Sequence, residues 1–185
     1  MNHLATSKED ILAASRELIK ENGWAAVSIR ALASRCSVSS GTIYNYYESK
    51  ADLLGETIES IWQEIFFHPE DEQIFHDAAA CISWIYERLE YGNRQFPGFF
   101  SLHSFSFMRE EKNDGKKRMM KTWGHIQNGL CNVLKNDPKI RPDVFDQQFT
   151  ENQFADILFS LILVAMTRQD YDPSSVLMLI NKTLY

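Results

Sequence analysis

Long apolar runs are missing from this 185-residue chain. The longest strongly apolar stretch, Ile157 to Met166, has about half the residues that a bilayer-crossing helix needs, so no membrane span is expected. Glycine (8) and proline (5) are sparse and scattered, which excludes collagen-like and low-complexity architectures. Cysteine is rarer still. Cys36, Cys81 and Cys131 have no CxxC spacing and leave one thiol unpaired in any disulfide scheme, which suits a reducing compartment and small buried side chains. Glu9 and Asp10 stand where a secretory leader would be basic, so a cytoplasmic protein is expected. Catalytic signatures are missing too. The five histidines form no HExxH pair, and neither a glycine-rich phosphate loop nor a nucleophile elbow occurs. His68 and His76, with Asp71 and Glu72, gather only loosely near a helix break and read as solvated side chains. Neither an enzyme nor a metal or cofactor site is expected.

What remains is an ordinary globular composition, 44% hydrophobic and 24% charged, of a length for one domain or a small module packed on a larger one. The net charge of −6 argues at first against a polyanionic partner. Its distribution qualifies that. Residues 1–55 hold six basic and six acidic side chains, so the whole acidic excess lies downstream. Within 28–50, Arg30, Arg35 and Lys50 face Glu48 alone.

Hydrophobic spacing is helical throughout, and an all-α fold of about nine helices is expected. Ser7 and Asp10 form a capping signal ahead of Ile11, Leu12, Leu18 and Ile19, predicting a helix from about Ser7 to Glu21 that Asn22 and Gly23 close. Ser28 caps a short helix with Ile29, Leu32 and Ala33 on one face, ending near Cys36. Ser39 or Ser40 caps another, containing Ile43, Tyr44 and Tyr47. Ser49 with Asp52 then opens a longer helix through Leu53, Leu54, Ile58, Ile61, Trp62 and Ile65.

Two short helices separated by Ser37 and Val38 have the spacing of a helix-turn-helix, whose second helix offers its N-terminal side chains to base edges. An ordinary helical hairpin is the alternative. The outward positions favour DNA: Ser39, Ser40, Thr42, Asn45 and Tyr46 are small or hydrogen-bonding, and Gly41 permits close backbone approach. The helix starts at Ser28 and Ser39 also offer backbone N–H groups to phosphates. Leu32, Val38, Ile43 and Tyr47 read as core, and Arg35 as a solvated surface residue.

The segment VSIRALASRCSVSSGTIYNYYESKADLL, Val27 to Leu54, resembles the signature of TetR-type transcriptional regulators through Ser28, Ser37, Gly41, Thr42, Ile43, Tyr44, Tyr47 and Lys50. Ser37 departs from the family's usual turn glycine and Cys36 from its usual alanine, implying a slightly altered turn. The resemblance implies that Ser40, Gly41, Thr42 and Asn45 face base edges, that Tyr44, Tyr46 and Lys50 hold phosphates, and that Arg30 does either. With neither Arg nor Gln on the reading face, bidentate base contacts fall to Asn45 and Arg30, and DNA shape contributes. The implied layout is a helix-turn-helix domain at 1–48 and a helical regulatory and dimerisation domain at 49–185. The implied function is a ligand-responsive regulator, chiefly a repressor, that binds a palindromic operator as a homodimer and is released by a small apolar or aromatic effector. A dimeric adaptor that keeps the fold but binds protein is the alternative, and the Thr42, Tyr44 and Lys50 trio argues against it.

Downstream, Ile74, Ala78, Ile82, Ile85 and Leu89 trace a helix up to Tyr91 and Gly92. An aromatic segment from Phe99 to Met108 follows, then a helix over about Asp114 to Leu134, a break at Asp137-Pro138 and Arg141-Pro142, a helix from Thr150 through Met166, and a last one from Pro173 to near Leu184. The last two look like a dimer interface, because Phe154, Ile157, Leu158, Leu161, Ile162, Val164 and Ala165 nearly encircle one while Val176, Leu177, Leu179 and Ile180 crowd the other. Burial within their own domain is the plainer alternative. The resemblance puts an effector pocket among the middle helices, where Trp62, Phe66, Trp84, Phe99, Phe100, His103, Phe107, Met108 and Trp123 are bulky enough to line it. Aromatic clusters of this kind also simply fill cores.

Overall fold

A computed structural model describes residues 6–66, 75–100 and 113–185, without the side chains of 113–119 and 122. All regular structure among them is helical: eight α-helices and one 3-10 turn. The chain forms two compact units, one of residues 1–68 with 94–98 and one of residues 69–93 with 99–185. No described helix is long and apolar enough to cross a membrane.

The first unit opens with α1, Lys8–Asn22. Its start is a full capping box: Ser7 Oγ accepts from the Asp10 amide at 3.1 Å, and the Asp10 carboxylate accepts from the Ser7 amide at 2.8 Å. Gly23, at φ 75°, ends it, a conformation that a side chain would resist. A 3-10 turn over Trp24–Ala26 leads to α2, Ile29–Arg35, then α3, Ser40–Tyr44, and α4, Lys50–Phe66. Ser49 caps α4 by accepting from the Asp52 amide at 3.1 Å. Ile11, Ile19, Val27, Leu32, Ile43, Tyr47, Leu53, Ile61 and Ile65 are buried and form the core that these helices share.

α3 is shorter than its sequence pattern predicts, for Tyr47 follows it. Asn45 caps the helix C-terminally, and the two tyrosines beyond reach back to the start of α1 and the residues just ahead of it. The Tyr46 hydroxyl donates to the Thr6 carbonyl at 2.6 Å, and the Tyr47 hydroxyl to the Lys8 carbonyl at 3.4 Å. These bonds give the chain a better place for both rings than another helical turn.

The second unit holds α5, Ala78–Gln95, as far as Asn93, with α6, Asn113–Asn136, α7, Glu151–Arg168, and α8, Ser174–Leu184. α5 runs past Gly92, where the sequence suggested a stop. α6 lies along α7. The expected break at Asp137-Pro138 is a tightly bonded corner: the buried Asp137 carboxylate accepts from the Ala78 amide, the Lys139 amide and the Tyr185 hydroxyl, at 2.9, 2.9 and 2.6 Å. Thr150 and Gln153 form a second capping box at the start of α7.

Candidate nucleic-acid interface

α2 packs on both α1 and α3, and Leu32, Ala33 and Ile43 are buried, while the other faces of α2 and α3 point outward. The turn between them is a Schellman motif. Ser37 N–H donates to the Ser34 carbonyl at 3.2 Å and Val38 N–H to the Ala33 carbonyl at 2.9 Å, and Ser37 sits at φ 56°. The serine therefore occupies the left-handed conformation that a glycine adopts without cost.

Ser28 caps α2 by accepting from the Ala31 amide at 3.1 Å, and Ser39 caps α3 by accepting from the Thr42 amide at 3.1 Å. Ser39 and Thr42 also share a hydroxyl hydrogen bond of 3.0 Å. Arg30, Ser39, Gly41, Tyr44, Asn45 and Lys50 are exposed, while Ser28, Ser40, Thr42 and Tyr46 are half-buried. Tyr44 is 54% exposed, a high value for a large aromatic ring that a core would otherwise claim. These ten positions lie within one short stretch of the same unit. Tyr46 differs from the others in having its hydroxyl engaged inside the protein, on Thr6.

Charge is arranged unevenly around this face. Arg35 forms a two-pronged ion pair with Glu21, 2.7 Å on each arm, which holds Glu21 below the usual carboxylate range. It is thus committed to joining α2 to the end of α1 rather than being a free surface cation. Among the described residues, Arg30 and Lys50 form no ion pair.

The aromatic residues suggested for a pocket fall in both units. Trp62 and Phe66 are buried on α4 and stack at 5.6 Å in the first. In the second, Phe99 and Phe100 are buried edge to face at 5.2 Å, Trp84 is half-buried against Phe75 at 5.3 Å, and Trp123 meets Phe159 at 5.8 Å. His103, Phe107 and Met108 lie outside the described residues, as do His68, Asp71 and Glu72. Tyr171, which the sequence did not single out, has a buried hydroxyl.

The apolar residues of α7 and α8 divide in two. Phe154, Leu158, Ile162, Ala165, Val176 and Ile180 are buried in the core of their own unit. Ile157 and Val164 are each 43% exposed, with Leu161 half-buried between them, and Leu177 is half-buried beside the exposed Met178 and Leu179. An apolar helix circumference thus serves both an inner and an outer face, and only the outer set is open to a partner.

Residues 11–57 match the model of bacterial regulatory proteins of the tetR family. The HTH-type transcriptional regulator UidR of Escherichia coli K12 is 41% identical over 44 residues, 24% of this chain and 22% of that protein. The match therefore spans about a fifth of the relative's length. Solved structures extend the likeness to the whole fold. A TetR transcription regulator from Haloarcula marismortui ATCC 43049 superposes with a TM-score of 0.71 at 18% identity, covering 96% of this chain and 95% of its own. The transcriptional regulator FadR from Bacillus subtilis, in complex with stearoyl-CoA, gives 0.65 at 21% identity over 97% and 100%. Escherichia coli NemR in its reduced form gives 0.66 at 18% over 96% and 97%. Residues 11–57 thus resemble the N-terminal module of bacterial regulatory proteins of the tetR family, and the described helices share the all-helical fold of these solved regulators.

Proposed function

We propose that this protein is a ligand-responsive transcription regulator that binds a palindromic operator as a homodimer and represses until a small apolar or aromatic molecule releases it. The observation that carries the reading is the outward face of α3, where Ser39, Gly41, Tyr44 and Asn45 are exposed above a buried Ile43. Such a face has little use as packing and suits contact with base edges. In this reading residues 1–48 read DNA while 49–185 dimerise and sense. Ser40, Gly41, Thr42 and Asn45 meet bases, Tyr44 and Lys50 hold phosphates, and Arg30 reaches either. Ser28 and Ser39 keep the two helix starts in place. Tyr46, bonded to Thr6, is better suited to fixing the chain ahead of α1 than to gripping a phosphate.

Dimerisation is supported by the outer stripe of α7, Ile157, Leu161 and Val164, together with Leu177, Met178 and Leu179 of α8. Sensing is supported by the aromatic content of the second unit and by a regulator of the same fold whose structure holds stearoyl-CoA. The test is selection of bound fragments from the source genome by the purified protein at near-physiological salt. Palindromic fragments are expected, lost with Thr42→Ala/Tyr44→Phe, and Val164→Glu is expected to yield monomers that bind them weakly. A folded dimer that enriches no fragment would overturn the reading in favour of an adaptor that binds protein.

A further inference from the structure

The segment joining α7 to α8 holds one ring in a particular place. α7 ends in its own Schellman motif, with Gln169 at φ 53° and the Asp170 amide donating to the Ala165 carbonyl at 3.2 Å. Asp170 then accepts from the Asp172 amide at 3.3 Å, and the Asp172 carboxylate accepts from the amide and hydroxyl of Ser174 at 2.9 and 2.5 Å. Tyr171 is thus pinned on both sides. Its ring packs against Phe100 at 6.2 Å, and Phe100 packs in turn on Phe99. Its hydroxyl is buried and finds no hydrogen-bond partner among the described residues.

Native structures rarely leave a buried hydroxyl unsatisfied, since it has given up water for nothing. Here the chain does so at the end of a turn that already places a non-glycine residue, Gln169, in the left-handed region. We propose that the Tyr171 hydroxyl is the anchor of a small-molecule site in the second unit, donating its hydrogen bond to the neutral carbonyl oxygen of an apolar ligand held beside the Tyr171–Phe100 contact. The inference rests on the ligand-responsive reading above and names the chemistry of the effector.

Neutrality follows from the surroundings. Burial alone pushes the Tyr171 hydroxyl up to about 12, with no cation drawing it down. A carboxylate ligand would lose its hydration with no cation to offset the loss, whereas a ketone, ester or quinone oxygen needs only the one donor.

The test uses the full chain without DNA, so that failure to bind an operator leaves it unaffected. Acetophenone, ethylbenzene and benzoate share a ring and differ in the polar group, and their binding is followed by NMR titration. Acetophenone is expected to bind roughly 5–10-fold tighter than ethylbenzene, the ratio that one neutral hydrogen bond supplies, and benzoate weakest of the three. Tyr171→Phe keeps the ring against Phe100 and is expected to bind acetophenone and ethylbenzene alike. Ligand-free, that variant is expected to melt higher than wild type, having lost a stranded hydroxyl. The proposal is overturned by an unchanged ratio in Tyr171→Phe, by preference for benzoate, by no saturable binding of any probe, or by a lower Tm for the variant.

Discussion

Ser15 of α1 and Thr57 of α4 join their hydroxyls across the buried interior of the first unit at 3.0 Å. Thr57 Oγ1 also donates to the Leu53 carbonyl at 2.8 Å, so its proton is committed and Ser15 must be the donor between the two. The pair sits midway between ion pairs that clamp the same helices, Lys8 to Glu56 at 2.7 Å and Arg16 and Lys20 to Glu64 at 3.0 and 2.8 Å. These exposed or half-exposed pairs each add little. The buried hydroxyls fix the register of α4 on α1.

Thr57→Val should therefore be the costlier change, because it keeps the shape but strands the Ser15 hydroxyl, at about 1–3 kcal/mol. Ser15→Ala leaves the Thr57 bond to Leu53 intact and should cost about 1 kcal/mol or less. Once Ser15 is Ala, adding Thr57→Val should cost markedly less than it does alone. Additive losses in urea unfolding would mean that the two hydroxyls are not coupled.

Ser37 offers a stabilising change. At φ 56° it bears a Cβ in the left-handed region, and glycine removes that strain. Ser37→Gly is expected to raise stability by about 0.5–1 kcal/mol, a gain partly offset by glycine's greater freedom in the unfolded chain. Ser37→Val, β-branched, should lose more than that and shift the turn. A drop in Tm for the glycine variant would show that the serine side chain contributes more than its backbone costs.

Local signals were the legible part of the sequence. The capping boxes at Ser7–Asp10 and Thr150–Gln153 and the cap at Ser49 are short-range bonds between neighbours, and each helix begins where its cap stands. What escaped depends on distant partners. α3 stops early because Tyr46 and Tyr47 find carbonyls near residue 6, about forty positions away. Arg35 looked solvated because Glu21 is fourteen residues off. The apolar girth of α7 was plain, but periodicity cannot say which side of such a helix turns inward, and burial sends Phe154, Leu158 and Ile162 to the core and Ile157 and Val164 outward. Tyr171 stands between two aspartates and ahead of Pro173, outside both flanking helical patterns, and its burial depends on Phe100, far away in sequence.

Acid should loosen the second unit at a definite place. Asp77 caps α5, accepting from the Ala80 amide at 2.7 Å, and pairs with Lys139 at 2.7 Å. The Lys139 hydrogen bond first, and the backbone bond after it, hold its carboxyl below the ordinary 3.8. A carboxyl depressed by folding stabilises at full strength above its unfolded value and loses that contribution as pH falls through the folded one. The urea midpoint should therefore decline below about pH 4, with the Asp77→Asn slope shallower than that of wild type. Parallel slopes would assign the acid sensitivity to other carboxylates.

Gly41 separates stability from recognition. It lies in α3 on the exposed face, and a Cβ built there would meet only Ser39 Oγ, at an ordinary 3.5 Å. None of the described residues requires glycine at this position, and alanine is the better helix former. Gly41→Ala should therefore unfold at the same or a higher urea concentration, with a gain of about 0.5–1 kcal/mol. If the backbone here approaches base edges, the added methyl stands between protein and groove, and operator affinity should fall roughly tenfold, the order of one lost base contact. Most destabilising changes weaken stability and binding together, so opposite signs in one variant would locate the contact at α3 itself. Full operator affinity in Gly41→Ala would move the reading face away from this helix and back to Arg30 and the start of α2.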